Sequence, residues 1–263
     1  MKLSISNIAW SSEYDLEMYD FLKEHAYLGL EIAPTRILSD LPYQRLSEAK
    51  QFKLFLETNY NLKISSIQSI CFGKNEPVFG SEQERKIIFD YVKEAIDFAS
   101  AISCNNVVFG SPKNRIIHEN QWDIALDFFR QLGDYAASKN TILAIEPNPT
   151  IYGTNFINTT PEAFDFVKQV NSKGLMVNLD FGTCLNNSES LSDIKDNLHL
   201  VNHIHVSEPY LEEIQVRETH KEFSEMLQEM KYDNFVSIEM KNLNSIELVK
   251  NKIQYIKQLF YAE

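Results

Sequence analysis

A (β/α)8 barrel, as one domain over residues 1–263, is the fold that three observations predict. Eight short, apolar, β-branched-rich runs alternate with eight amphipathic stretches, the length suits one such barrel, and no linker, repeat boundary or low-complexity tract divides the chain. A doubly wound open sheet is the alternative, because alternation alone does not close a sheet.

The elements follow in order. Leu3 to Ile8 reads as the first strand, ending at Ala9-Trp10, and Tyr14 to His25, with Leu16, Met18, Tyr19, Phe21 and Leu22, as an amphipathic helix. Leu28 to Ile32 is a second strand stopped by Pro34, and a helix over Leu46 to Thr58 leads to a third strand at Ile64 to Ile70, broken at Gly73. Gln83 to Ser103 is the longest helix. Asn106 to Phe109 is strand four, closed by Gly110, and a helix from Asn120 to Ser138 follows. Strands five to eight read Leu143 to Glu146, Val177 to Asp180, Val201 to His205 and Val236 to Glu239. Their helices are Pro161 to Val170, with Thr160 as N-cap and Pro161 as the first helical residue, then Ser188 to Leu198, His220 to Met230 and Ser245 to Phe260.

Composition is that of a globular protein, 44% hydrophobic and 24% charged, which supplies a sizeable core. A formal charge of −12 argues against a nucleic-acid partner, since phosphate neutralisation needs a basic surface. Cys71, Cys104 and Cys184 are odd in number and widely spaced, as expected of reduced, mostly buried thiols. Neither a signal peptide nor an 18-residue apolar stretch is present, so a soluble, cytoplasmic protein without a membrane partner is expected.

Strands five to eight each end in a potential ligand: Glu146, Asp180, His205 and Glu239, spaced 34, 25 and 34 residues apart. Alternation along a strand puts Ala144 with Glu146, Asn178 with Asp180, His203 with His205, and Ser237 with Glu239. The opposite parity carries Ile145, Leu179, Ile204 and Ile238, fit for packing against helices. The polar set therefore converges at the carboxyl ends of the strands, where barrels of this class place active sites. Any one of the four can be the first polar residue of a loop; all four with one parity point to a divalent cation instead. No Lys or Arg within these strands balances three carboxylates, which favours the same reading. Oxygen-rich ligands with one imidazole suit Mn²⁺ or Mg²⁺ better than structural zinc.

These residues resemble the sugar phosphate isomerase/epimerase family, the xylose-isomerase-like barrels that also include ketose 3-epimerases, inosose dehydratase and endonuclease IV. The likeness runs through Glu31 ending strand two, Glu146-Pro147-Asn148, Asp180, His203-Ile204-His205 and Ser237-Ile238-Glu239. It implies a Mn²⁺, Mg²⁺, Co²⁺ or Zn²⁺ ion held by Glu146, Asp180, His205 and Glu239, with the two glutamates exchanging the substrate proton. His205-x-x-Glu208 matches the epimerases. Two positions depart: Thr183 stands where they have a histidine three residues after the aspartate, and Leu211 where they have an arginine. Endonuclease IV needs many more histidines than the six present.

The chemistry expected is proton abstraction next to a carbonyl through a metal-stabilised enediolate, on a sugar, sugar phosphate or related polyol. Return of the proton gives epimerisation or isomerisation, and expulsion of a β-hydroxyl gives an inosose-dehydratase-like hydro-lyase. A non-catalytic sugar-binding barrel is the third reading, disfavoured by the intact Glu146 and Glu239. Substrate contacts are expected from Trp10 by stacking, from Glu31, Asn148 and Glu208 by hydrogen bonds, and from Lys113, Arg115 and Lys241 by charge. His203, Asn178 and Ser237 are expected behind the ligands rather than on the substrate. His220 reads as a helix cap. A homodimer is compatible with such barrels.

Overall fold

The computed structural model describes residues 1–260. The strands are β1 (Lys2–Ile5), β2 (Gly29–Ile32), β3 (Lys63–Ile67), β4 (Val107–Phe109), β5 (Leu143–Ile145), β6 (Leu175–Asp180), β7 (Val201–Val206) and β8 (Phe235–Ile238). Each is parallel to its neighbour, in the order β1-β8-β7-β6-β5-β4-β3-β2. The ends of that row meet. Leu28 N donates to Leu3 O at 3.0 Å, and Ser6 bridges to Glu31 in parallel, so the sheet closes into a (β/α)8 barrel and the open-sheet alternative falls.

Helices α1 (Asp15–Glu24), α2 (Pro34–Ile37), α3 (Leu46–Tyr60), α4 (Glu82–Ala101) and α5 (Trp122–Ser138) wrap the first half. The second half carries α6 (Thr160–Val170), α7 (Phe181–Asn187), α8 (Leu191–Asn197), α9 (Glu218–Glu229) and α10 (Ile246–Phe260). The outward-facing residues of the strands, Ile145, Leu179, Ile204 and Ile238 among them, are fully buried against this shell. No described helix is long and apolar enough to cross a membrane. The three cysteines are free and buried.

Several local expectations differ from what is found. Strand one stops at Ile5, and Asn7–Ala9 forms a 3-10 turn that swings Ile8 to the barrel mouth. Thr159, not Thr160, caps α6: its hydroxyl accepts from Glu162 N while the Glu162 carboxylate accepts from Thr159 N, a reciprocal capping box. The expected helix over Ser188 to Leu198 is shorter, Leu191–Asn197, and a separate helix, α7, precedes it. Asp180 caps α7 directly off β6, and Ser188 breaks the run with a left-handed φ of 54°. His220 lies inside the first turn of α9 rather than before it, buried beside Phe181 and within 3.2 Å of the Tyr255 hydroxyl.

The interior of the barrel is polar. Ser4 and Ser65 share a hydrogen bond at 2.6 Å, Asn106 donates to Ser66 at 2.9 Å, Asn202 donates to Asn106 at 2.8 Å, and Gln68 donates to Ser6 at 3.0 Å. Each is a paired, buried polar group, so the column costs little and fixes strand register where a purely apolar core would allow slippage. This column is the floor on which the candidate site rests.

Candidate functional site

Register builds the site. β6 and β7 pair with Asp180 beside His205, and β7 and β8 pair with His205 beside Ser237. Glu146 and Glu239 are the first residues past their strands, each tethered by its backbone N–H: Glu146 to Phe109 O at 3.1 Å, Glu239 to Val206 O at 3.0 Å. The His205 ring lies between them. Its Nδ1 is 2.9 Å from Glu146 Oε1 and 3.1 Å from Glu239 Oε2. One donor atom from each of the three residues falls within 4.8 Å of the others, the spacing of a cation site. Asn178 holds Glu146 from below, donating to its Oε1 at 2.8 Å, and Asn148 donates to Oε2 at 3.1 Å.

Behind this group, Glu31 is fully buried and its Oε2 lies 2.9 Å from His205 Nε2 and 3.4 Å from His203 Nε2. A carboxylate on the far nitrogen of a metal-binding histidine fixes its ring and raises its basicity. Glu31, His203 and His205 also meet the distance requirement for a cation, but this second group has no face on the upper cavity.

Electrostatics favour positive charge at His205. Burial opposes protonation of its ring, yet Glu239, Glu31 and Glu146 outweigh burial and hold its pKa well above the ordinary value. Burial also raises Glu31, but His205 and His203 overcome it and leave that carboxyl well below the usual range. Glu239 is pushed up to about 7, by burial first and by the charges of Glu146 and Glu31, although His205 opposes the rise. The donor set of two carboxylates and one imidazole fits a divalent ion.

Asp180 is placed differently. Its carboxylate faces the same cavity, but Gly182 N (3.2 Å) and the Ser207 hydroxyl engage Oδ1, while Thr183 N (3.1 Å) and the Thr183 hydroxyl (2.8 Å) engage Oδ2. Those four donors match the roughly four lone-pair sites of a carboxylate. Asp180 caps α7 beside the cluster, and its carboxylate is not among the three groups that converge there.

The cavity over the cluster has a volume of about 230 Å³. Glu146, Asn148, Asp180 and Glu239 form its polar floor, and Ile8, Val108 and Leu211 are among its apolar walls. Sequence reasoning missed Gln68, Ser69, Ser111 and Tyr152, which line it too. It also passed over Gly110, where a Cβ would stand 2.6 Å from Glu146 Oε2; a glycine just past a strand end was the available signal.

Several expected substrate contacts are elsewhere. Trp10 is buried and donates to Asp15 Oδ1 at 2.9 Å, so its ring steadies the start of α1 and cannot stack on a ligand. Glu31 is beneath the cluster, out of a substrate's reach. Arg115 is fully buried: its Nη2 donates to Glu146 O at 2.6 Å and Asn148 Oδ1 at 2.5 Å, which makes it a support for the strand-five end. Burial lowers its pKa to about 10, against the pull of Glu146. Lys113 reaches away to Asn75, Lys241 pairs with Glu212, and buried Glu208 accepts from both Nε and Nη2 of Arg217. The Ser237 hydroxyl is buried without a partner.

Comparison with known proteins gives one family. Residues 19–259 match the model of the xylose isomerase-like TIM barrel. Among solved structures, D-psicose 3-epimerase of Clostridium cellulolyticum H10 superposes with a TM-score of 0.81 at 16% identity, covering 99% of this chain and 98% of the other. The E. coli 3-keto-D-glucoside 4-epimerase YcjR gives 0.78 at 18% identity, with 98% of each chain covered. The IolI protein, solved with a bound zinc atom, gives 0.72 at 17% identity over 98% of this chain and 96% of that one. At such identities the likeness establishes a shared fold.

Proposed function

Because the chain belongs to the xylose isomerase-like TIM-barrel family, we propose that it is a divalent-metal-dependent isomerase or epimerase of a neutral sugar or polyol. The observation that carries this reading is the pair Glu146 and Glu239, which flank His205 Nδ1 at 2.9 and 3.1 Å on the floor of the cavity. Three of the relatives in structure bear on it: two are named as sugar epimerases and one was solved with zinc.

Glu146, His205 and Glu239 would hold the ion, with Asp180 adjoining. Bound there, a divalent ion supplies a Lewis acid that favours negative charge on a carbonyl oxygen. The protein's own groups do the rest. Glu146 and Glu239 enter from β5 and β8 and approach a ligand from different sides, so one takes a proton from the carbon beside the carbonyl and the other returns it to the opposite face. Asn178 and Asn148 keep the Glu146 carboxylate aimed upward, and Arg115 in turn fixes Asn148. Among the described residues that line the cavity, three are carboxylates and none is Lys or Arg, which supports an uncharged substrate over a sugar phosphate.

A hydro-lyase is the second reading, favoured by Leu211 in the cavity wall and by Thr183 turned onto Asp180 rather than the cavity. Both replace polar residues that ketose epimerases carry at those positions.

Metal binding tests the premise. Protein stripped with a chelator should take up about one Mn²⁺ or Zn²⁺ per chain by isothermal titration. Glu146→Gln and Glu31→Gln should each weaken that binding, the latter by roughly 10-fold or more through the lost charge behind His205. Unaltered affinity in both variants, or no stoichiometric uptake by the parent, would place any ion elsewhere.

A further inference from the structure

The cavity over the cluster does not end at its own walls. Ile8 and Ser69 also line a second cavity of about 800 Å³ that opens between the loops following β2 and β3. Alone, the inner cavity of about 230 Å³ falls short of the roughly 300–1,000 Å³ typical of small-molecule sites; joined to its neighbour of about 800 Å³ it reaches the top of that scale.

Two large apolar side chains stand in the outer cavity exposed to water: Phe72, 69% exposed, and Leu41, 56% exposed. Neither sits on a slack surface loop. Leu41 has a left-handed φ of 43° and runs into Pro42. The Phe72 turn is pinned on both sides, by the Tyr43 hydroxyl on Ile70 O at 2.7 Å and by Asn114 Nδ2 on Lys74 O at 3.2 Å. The fold thus spends backbone strain and anchoring bonds on holding apolar groups in solvent, which burial alone does not explain.

The charges at the rim are occupied. Arg36 pairs with Asp15 through both arms, and the Lys74 ammonium lies 4.3 Å from the centre of the Tyr91 ring. Arg36 is thereby neutralised, and the Glu94 carboxylate on the same lining opposes an anion beside Lys74. An aromatic face and an aliphatic chain beside hydroxyl and amide groups (Thr35, Gln44) instead suit a neutral ring with one C–H face and a polar edge.

The geometry points to a second sugar subsite: the preferred substrate is a keto sugar bearing a glycosyl substituent, its reacting part over Glu146 and Glu239 and its second ring on Phe72 and Leu41. This inference rests on the sugar reading above and names the substrate class.

The probes are D-fructose and isomaltulose, a fructose with glucose on O6 that leaves its first four carbons free. Affinity for each is measured by titration calorimetry on Mn²⁺-loaded protein, alongside sedimentation. Isomaltulose is expected to bind at least about 10-fold more tightly. Phe72→Ala should erase that advantage while leaving fructose affinity and the melting temperature unchanged, since Phe72 is exposed. Equal affinities in the parent, or an unaffected advantage in Phe72→Ala, overturn the subsite. So does conversion of a dimer to a monomer by Phe72→Ala, which would make this face a protein interface. If the preference holds but no hydrogen exchange occurs with either sugar, the subsite stands and the proposed reaction fails. Exchange with fructose and no preference gives the reverse.

Discussion

Replacing Glu239 with glutamine is expected to lower kcat by roughly 10²–10⁴-fold, the range for removing a general acid–base group. Glutamine keeps the size of the side chain and one ligating oxygen, so the loss should persist under saturating metal. The variant should fold, because only the carboxylate charge changes and the Glu239 backbone bond to Val206 remains. Glu146→Gln should be equally inactive in turnover. The informative contrast is in hydrogen exchange: if the two carboxylates serve opposite faces, one variant still exchanges the substrate's hydrogen with solvent without inverting the carbon. An active Glu239→Gln enzyme would reject its role and leave Glu146 or a solvent-derived base.

The largest stability effect is expected at Gly174, between α6 and β6. A Cβ there would stand 2.0 Å from Gly133 O and 2.5 Å from Ala137 N, both backbone atoms of α5. No side-chain rotation relieves a clash with helix backbone, so α5 and the start of β6 must part. Gly174 O also accepts from Leu143 N at 2.8 Å, which ties β5 to the same point. Gly174→Ala should therefore cost about 3 kcal/mol or more, at the upper end for overpacking. For a chain of this size that is a fall in Tm of roughly 6–12 °C. A Tm within a degree or two of the parent would show that this helix–strand contact gives way.

Much of the site was legible because it obeys strand periodicity. Residue alternation alone put Glu146, His205 and Glu239 on the inward face at the carboxyl ends, and the eight alternating runs implied the barrel that carries them. Most of what escaped had partners far away in sequence. Glu31 looked like a loop-end hydrogen-bonding group; its contact is His205, 174 residues on, and only closure of β1 against β2 brings it beneath the cluster. Arg115 read as a mouth cation because a loop after a strand normally faces solvent, whereas it turns inward to carry Glu146 O and Asn148. Asp180 shared the parity of the ligands, but parity says nothing of competing donors. Gly182 N and Thr183 N come from the helix it caps, and the Ser207 hydroxyl comes from just past β7. The outer cavity was illegible for the same reason, being the meeting of two loops with no periodic pattern.

The central claim is that Glu146 and Glu239 move a proton on a carbon beside a carbonyl, at a bound divalent ion. Incubating the Mn²⁺-loaded protein in D₂O with a panel of ketoses, glycosylated ketoses and inososes, followed by NMR and mass spectrometry, tests it most directly. The account predicts one deuterium at a single carbon next to the carbonyl, an epimer or isomer as product, no loss of water, and no reaction after chelation. Loss of water would assign the hydro-lyase reaction, and product formed without deuterium, or with full rate in the presence of chelator, would contradict the claim.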